Sequence, residues 1–349
     1  MTYKIAGKLN LELPVFQAPM AGTATPELAA AVSEAGGLGG LGLAGYTVEE
    51  AATLIDETAA RTSHPFNVNF FCHQQKICTP ALGRGWIESA GPLFRQMGAQ
   101  TPEILQEGFG SFIGDHAMFA MLLEKRPRVI SFHFGLPHQQ QLSALRETGA
   151  LLIASATSLA EAKHFEKAGL NAVIAQGWGA GGHRGIFDPD GPDEQMDTET
   201  LTRLLYSNIG LPVIAAGGIM DGADVKSALS WGAVAAQMGT AFISCPESAA
   251  DDLYRASLNA QSTTIMTRAV SGRPARALVN NAIHFLSEIP ESEVPPFPYP
   301  YELSDALNAA AKNAGDRRFY CQLAGSGVAK SRHISAAAVM AEIAAELVQ

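Results

Sequence analysis

The sequence lacks the long apolar run and the basic cluster that would identify a membrane protein or a nucleic-acid-binding protein. Its apolar stretches are rich in glycine and alanine and are shorter than the roughly 18 residues of a membrane span. The N-terminus shows no apolar signal-peptide core. The net charge is −10 and no Lys/Arg cluster stands out, so we expect no nucleic-acid partner. These absences favour a cytoplasmic protein without a membrane segment.

The cysteines also lack a pattern. Cys72, Cys78, Cys245 and Cys321 form no CxxC pair, which is typical of reduced thiols in a cytosolic protein. A catalytic cysteine remains an alternative. No HExxH motif and no cluster of carboxylates with histidines indicates a metal. The sequence therefore predicts neither a disulfide framework nor a metal centre.

Eight short apolar runs are the main indication of the fold. Each is apolar throughout, as expected for a parallel strand that is buried on both faces. Stretches with helix-start residues lie between most of them, and most runs begin one β-loop-α unit apart. The runs are residues 15–19, 38–43, 66–71, 129–134, 151–156, 172–176, 213–216 and 233–238.

Eight such units with glycines at the ends of the runs predict an α/β protein with a (β/α)8 or TIM barrel, rather than an open doubly wound sheet. The chain has 349 residues, more than the ~250 of a minimal barrel. We expect the barrel over residues 1–245, with an insertion after the third strand over about 73–127. A C-terminal helical extension over 246–349, with a terminal helix at 334–347, is expected to cover the barrel mouth.

Two of the strand ends carry residues that suit a flat polar ligand. Met20 lies in a small-residue turn after the first run, where a ligand can approach the backbone. Asn67, Asn69 and Phe71 share one face of the third strand. Two asparagines inside a barrel need partners. Either they satisfy each other and nearby loops, or Asn69, nearest the mouth, binds a polar heterocycle.

The loop after the sixth run, residues 176–185, contains five glycines together with His183 and Arg184. A lone histidine is usually structural. This loop, however, follows a barrel strand at the end where catalytic residues lie, and it is too rich in glycine to bury the side chain. Histidine suits proton abstraction near neutral pH. We therefore predict a catalytic role for His183, with Arg184 contributing positive charge toward an anion.

Glycine turns follow the seventh and eighth runs, at 215–219 and at 237–240. Loops at these two positions commonly hold phosphate in barrels, because backbone N–H groups can reach the oxygens. Thr240 adds a hydroxyl donor. Two plain glycine turns are the alternative interpretation.

Other residues are weaker candidates for the barrel mouth. His73 and His133 end the third and fourth runs and can line it. The segment 298–301, Pro-Tyr-Pro-Tyr, is stiff and apolar, so we predict that it closes over the substrate, with Tyr299 in contact. A surface linker is the alternative for that segment.

Taken together, the motifs resemble those of the nitronate monooxygenases, formerly called 2-nitropropane dioxygenases, which are FMN-dependent barrel enzymes. The segments at 67–73 and 131–135 are more similar to the class I enzymes than to related enoyl-ACP or NADH:quinone reductases. The resemblance runs nearly end to end. It is carried by QAPMAG at 17–22, NVNFFCH at 67–73, SFHFG at 131–135, QGWGAGGHRG at 176–185, AAGGI at 215–219, QMGTAF at 237–242 and LAGSGV at 323–328.

The resemblance implies an FMN site, with His183 as the catalytic base. It implies that O2 and an alkyl nitronate, such as propionate 3-nitronate, yield a carbonyl compound and nitrite without nicotinamide or metal. A monomer or homodimer is expected. The residues implied to surround FMN are Met20, Asn69, Gln176, Gly181, Gly218, Gln237, Met238, Gly239 and Thr240.

Two positions depart from the family pattern and leave the substrate open. Gly179 stands where many relatives carry an acidic residue, and Ser326 stands where many have glutamine. Three other functions remain open at this point. They are an NAD(P)H-dependent flavin reductase acting on quinones or enoyl thioesters, a colourless phosphate-binding isomerase or aldolase, and a pure binding protein.

Overall fold

Eight parallel strands form a barrel, as the apolar runs predict. The computed structural model describes residues 9–108, 110–260 and 263–348. The start of the predicted barrel domain at residue 1 and the end of the predicted extension at residue 349 lie outside the described residues. Phe16 bridges Leu38 in parallel, which brings the first strand beside the second and completes the ring. The barrel strands are β1 Val15–Gln17, β2 Gly39–Gly42, β3 Phe66–Phe71, β4 Val129–His133, β5 Leu151–Ala156, β6 Ala172–Gln176, β8 Val213–Ala216 and β9 Ala235–Met238.

Four of the eight strands have the predicted bounds, and the other four are shorter. In β1, β2, β4 and β9 the apolar run extends past the hydrogen-bonded strand into loop residues that are buried or half-buried. An apolar run indicates residues that are removed from water, and such residues continue past the end of the hydrogen bonds between neighbouring strands. The (β/α)8 barrel itself is confirmed.

Helices lie between the strands and cover the barrel. Thr25 caps the first of them, with its side chain accepting a hydrogen bond from Leu28 N at 3.0 Å and Pro26 in the first turn. In chain order the helices are α1 Pro26–Glu34, α2 Val48–Arg61, α3 Pro80–Gln96, α4 His116–Lys125, α5 Gln139–Glu147, α6 Leu159–Ala168, α7 Thr198–Asn208, α8 Gly222–Ser230, α9 Thr240–Ile243, α10 Asp252–Ala260, α11 Asn281–Ser287, α12 Pro300–Ala314 and α13 Ala336–Val348.

The segment between β3 and β4 contains two helices. Helix α4 precedes β4, and α3 packs instead against α12 of the C-terminal region. Trp86 and Phe94 of α3 are buried there with Leu303 and Leu307 of α12. The insertion therefore supports the C-terminal region. The domain boundary at residue 245 stays a prediction.

The C-terminal extension, predicted as helices and loops over the barrel mouth, differs from the prediction in two respects. Strands β10 Thr264–Thr267 and β11 Ala275–Leu278 form an antiparallel pair, and β11 also pairs with the two-residue strand β7, Gly182–His183. The terminal helix α13 lies on the flank of the barrel, where Val339, Met340 and Ile343 pack with the apolar side chains of α1 and α8. Its alanine-rich face suits close packing against helices.

Within the described residues, none of the helices has the length and apolar character that crossing a bilayer requires. The helix with the most apolar composition, α13, has 13 residues, and a span needs about 20.

Candidate functional site

A cavity of about 710 Å³ opens at the carboxyl ends of the barrel strands. Active sites of barrels of this type lie at that end, because the loops after the strands meet there. Most of the residues predicted for the site line this one cavity. They are Met20, Asn69, His133, Gln176, Gly181, His183, Gly218, Gln237, Gly239 and Thr240.

One wall of the cavity is built from glycine backbone, and we call it the glycine wall. It comprises Gly181, Gly217, Gly218, Gly239 and Gly325. Gly217 and Gly218 have φ values of +126° and +72°, which favour glycine. A Cβ on Gly181 would lie 2.4 Å from the nitrogen of Gly325. Side chains are therefore excluded here, and a ligand can approach the main chain.

Thr240 joins the loops of this wall. Its Oγ1 accepts a hydrogen bond from Gly325 N at 2.9 Å, which ties the C-terminal region to the end of β9. The segment 323–328 therefore contributes to the cavity lining.

Carboxamides line the floor of the cavity, with different partners. Asn67 and Asn69 both donate to Ser131 Oγ at 2.8 Å, so the asparagines share one serine on β4. The Oδ1 atom of Asn67 and the Oε1 atom of Gln237 are buried with no hydrogen-bond partner among the described residues. Gln237 lines the cavity, so its carbonyl is an acceptor available to a ligand.

Gln176 uses both ends of its amide within the protein. Its Nε2 donates to the carbonyl oxygen of His183 at 2.8 Å, and its Oε1 accepts from Gly185 N at 2.7 Å. His133 Nε2 lies 3.0 Å from the same carbonyl oxygen. Gln176 therefore holds the loop that carries His183 in place.

Another part of the lining carries side chains, and we call it the histidine wall. It consists of Phe71, His133, His183 and Tyr301, with the rings of Phe134 and Phe297 packed against them. The rings of Phe71, Phe134 and Phe297 surround the imidazole of His183 at centroid distances of 5.9, 5.7 and 5.6 Å. The Nε2 atom of His183 lies 2.7 Å from Ser271 Oγ and 3.2 Å from the hydroxyl of Tyr301.

The expectation that the glycine-rich loop leaves His183 unburied is wrong. The residue is 8% exposed, because β7 pairs with β11 and aromatic rings cover it. Burial, together with the nearby charges of His133, Arg273 and His73, lowers the pKa of His183 to about 3. The imidazole is consequently neutral at physiological pH.

The neighbouring histidines are in the same state. Burial, together with Arg273 and Arg184, lowers the pKa of His133 to about 4 despite a hydrogen bond to the His183 backbone, and burial together with Arg273 lowers that of His73 to about 4. Arg273 is 3% exposed and lies 4.0 Å from the centroid of Phe134, with its guanidinium donating to the carbonyls of Ile186 and Phe187.

Arg184 does not face the cavity, which corrects its predicted role beside His183. It is 1% exposed and its Nε and Nη2 atoms each donate to Asp193 at 2.8 Å. Its Nη1 donates to the carbonyl oxygen of Gln176. The guanidinium therefore stabilises the loop after β6, and its donors are directed at that loop and not at an anion in the cavity.

Besides Arg184, three predicted residues do not line the cavity: His73, which is buried, Met238 and Tyr299. Met238 packs its side chain into the apolar cluster behind β9, since alternate residues of a strand point to opposite faces. Tyr299 lies outside the lining, and Tyr301, two residues later at the start of α12, takes the expected place beside His183.

Sequence reasoning missed Ser271 and Arg273 altogether. Both lie in the turn between β10 and β11, and Ser271 is 88 residues from His183 in the chain. The SGRPAR segment at 271–276 carries no recognised motif. Its position only becomes informative once β11 is known to pair with β7.

Comparison with known proteins agrees with this geometry. The sequence matches the family described as Nitronate monooxygenase over residues 3–346. The chain belongs to the nitronate monooxygenase family. It is 45% identical over 343 residues to a protein from Paraburkholderia phytofirmans and 43% identical over 349 residues to one from Pseudomonas aeruginosa, both named nitronate monooxygenase. These alignments cover 98% and 99% of this chain and 94% and 99% of the relatives.

Solved structures show the same relationship. A nitroalkane oxidase from Streptomyces ansochromogenes superposes with a TM-score of 0.89 at 34% identity, covering 98% of both chains. FabK from Thermotoga maritima is more distant, with a TM-score of 0.73 at 28% identity, over 99% of this chain and 96% of that one. The recognition made from the motifs is thus confirmed.

The two departures from the family pattern lie in contact with each other. Ser326 N donates to the carbonyl oxygen of Gly179 at 2.9 Å. A Cβ on Gly179 would lie 2.6 Å from Ser326 Oγ. The absence of a side chain at 179 therefore leaves room for Ser326, and the pair forms one local change beside Gly218.

Proposed function

We propose that the protein binds FMN in this cavity and oxidises alkyl nitronates with O2 to a carbonyl compound and nitrite. The observation that carries the proposal is that the two walls line one cavity. The glycine wall leaves room for a flat phosphorylated ligand, and a neutral, buried histidine lines the same cavity. The membership of the family supports the reaction.

The residues present fit FMN. Gly181, Gly218 and Gly239 leave no side chain between the cavity and the backbone amides, which suits a terminal phosphate. Asn69 and Gln237 would lie along the heterocycle, and the buried Oε1 of Gln237 lacks a partner within the described structure, so it can accept from a ring N–H. When bound, FMN supplies the electron-accepting group of the reaction.

His183 has one nitrogen for positioning and one for chemistry. Its Nε2 is engaged by the hydroxyls of Ser271 and Tyr301. Its Nδ1 makes no hydrogen bond to any residue that the structure describes, so we assign the proton-accepting role to Nδ1. A neutral nitroalkane would lose its α-proton to this atom, whereas a nitronate has already lost it and needs only binding.

Because the pKa of His183 is low, its protonation depends on the negative charge of the nitronate that forms beside it. An imidazolium is unfavourable in this buried wall. It becomes more favourable beside the nitronate anion that the same proton transfer creates, because opposite charges attract strongly where water is excluded. The rings of Phe71, Phe134 and Phe297 keep water from the imidazole.

The test is anaerobic mixing of the purified holoprotein with a nitronate and, separately, with NADH. We expect nitronate to bleach the flavin absorbance rapidly and NADH to leave it unchanged, and chromatography of heat-released cofactor to give FMN. Rapid bleaching by NADH would contradict the proposal and favour the NAD(P)H-dependent flavin reductase. A colourless protein after purification would favour the isomerase or aldolase.

A further inference from the structure

The charged side chains of the cavity are all of one sign among the described residues. Glu302 and Asp305 of α12 line it, and the lining contains neither lysine nor arginine. An anionic substrate therefore enters a cavity whose only formal side-chain charges repel it, which limits how much negative charge a substrate can carry.

Asp305 lies one helical turn beyond Tyr301, on the same face of α12. Residues four apart on a helix have Cβ atoms about 5–6 Å apart. The hydroxyl of Tyr301 lies 3.2 Å from His183 Nε2, and Asp305 lines the same cavity as both residues, so its carboxylate acts on whatever binds there.

The charge of Asp305 is not neutralised by a neighbour. No described cation lies within ion-pair distance of it, since the nearby Lys312 is bound to Asp251 at 2.9 Å. Although solvent reaches the side chain, burial and the adjacent Glu302 raise the pKa of Asp305, and the charge of Lys312 lowers it. Both carboxylates line the cavity, so both act on its contents.

We propose that Asp305, supported by Glu302, makes the site selective for nitronates whose far end is uncharged or cationic, against those that carry a second carboxylate there. This inference rests on the proposed nitronate oxidation. It means that propionate 3-nitronate, the substrate suggested by the family resemblance, is a poor substrate for this chain, and that simple alkyl nitronates are good ones.

The kinetic test compares propionate 3-nitronate with propane-1-nitronate, which share one carbon skeleton and differ by the carboxylate. At low ionic strength and pH 8 we expect kcat/KM of the wild type to favour propane-1-nitronate by roughly tenfold or more, because like charges that share one cavity are only weakly screened. Asp305→Asn should shift this ratio about tenfold toward the carboxylate. Glu302→Gln should shift it less, because Glu302 is not on the Tyr301 face.

The control is Glu103→Gln, which removes one negative charge from an exposed position outside the cavity. It should leave the ratio at the wild-type value. A wild-type ratio near one would overturn the proposal. So would a ratio that Asp305→Asn does not change, or that Glu103→Gln changes equally.

A binding measurement separates this inference from the proposed reaction. Butyrate and succinate carry a planar carboxylate in place of the nitronate, and only succinate has a second carboxylate. Titration calorimetry of the holoprotein should give roughly tenfold tighter binding of butyrate, with the difference reduced in Asp305→Asn. This result, with no nitronate turnover at all, would refute the proposed reaction but keep the charge selectivity. Equal binding of both acids would refute the selectivity itself.

Discussion

The glycine wall and the histidine wall line the same cavity but obtain their properties in opposite ways. On the glycine wall, function depends on side chains that are absent, and a Cβ at Gly181 would collide with the backbone. On the histidine wall, it depends on side chains gathered from distant segments, which bury His183 and keep it neutral. Substitutions should therefore affect cofactor retention on one wall and proton chemistry on the other.

The largest effect is expected on the glycine wall. Gly218→Asp adds bulk 3.0 Å from Ser326 Oγ, at a φ of +72°, and places a negative charge where a phosphate is proposed. The protein should fold but purify without flavin, as read from the ratio of visible to ultraviolet absorbance.

The matched control for that change is Gly85→Asp, at an exposed position of α3 where an added Cβ meets nothing within 4 Å. It should keep a full complement of flavin. Normal flavin content in Gly218→Asp would show that the glycine wall is not the phosphate site.

The histidine wall should make stability depend on pH. His73, His133 and His183 have pKa values of about 4, 4 and 3 in the folded state, against about 6.5 when unfolded. Because the unfolded chain binds more protons below pH 6.5, the full stability is present above that pH. As the pH decreases from 6.5 to 4, the free energy of unfolding should fall by about 1.4 kcal/mol per histidine for each pH unit.

Urea unfolding of the holoprotein at several pH values measures this slope. Replacing His73 by glutamine should reduce the slope of the unfolding free energy against pH by the contribution of one histidine. A free energy of unfolding that stays constant from pH 7 to 5 would mean that these imidazoles are accessible to protons in the folded state.

The correction to Arg184 gives a third prediction. Arg184→Met leaves Asp193 without its buried partner, and breaking a buried pair costs about 3–5 kcal/mol. Arg203→Met removes an exposed pair with Glu199 on α7 and should cost less than about 0.5 kcal/mol. Denaturant midpoints compare the two. If Arg184→Met is as stable as Arg203→Met but loses nitronate affinity, the side chain contacts substrate after all.

The smallest effect is expected at Tyr301. Tyr301→Phe removes one hydroxyl from Nε2 of His183, which is a loss of about 0.5–1.5 kcal/mol. The kcat/KM for a neutral nitroalkane should therefore fall about two- to tenfold. Tyr299→Phe, outside the cavity lining, should change it by less than twofold. A larger loss from Tyr299→Phe would restore the original prediction that Tyr299 contacts substrate.

The two walls also differ in how far they could be read from the sequence. The glycine wall follows from local motifs, because glycines at the ends of successive parallel strands must meet at one end of a barrel. His183 was predictable on the same grounds. Its surroundings were not, since Ser271 and Tyr301 are 88 and 118 residues away in the chain.

Arg184 and Tyr299 illustrate why local reasoning fails on the histidine wall. Arg184 directly follows His183, yet strand geometry turns it to the opposite side and Asp193 binds it. Tyr299 and Tyr301 are equivalent in the sequence pattern, and only the start of α12 decides which hydroxyl reaches His183. Tertiary pairing, rather than residue type, settles both.

The most direct test of the account is the His183→Asn variant, assayed with a neutral nitroalkane and with its nitronate. General base catalysis contributes about 10²–10⁴-fold, whereas a lost hydrogen bond to a charged ligand costs about 1.5–3 kcal/mol. We predict retained FMN, loss of nitroalkane oxidation by at least about a hundredfold, and nitronate turnover that stays measurable. Equal losses with both substrates, or loss of FMN, would contradict the assignment of His183 as the base.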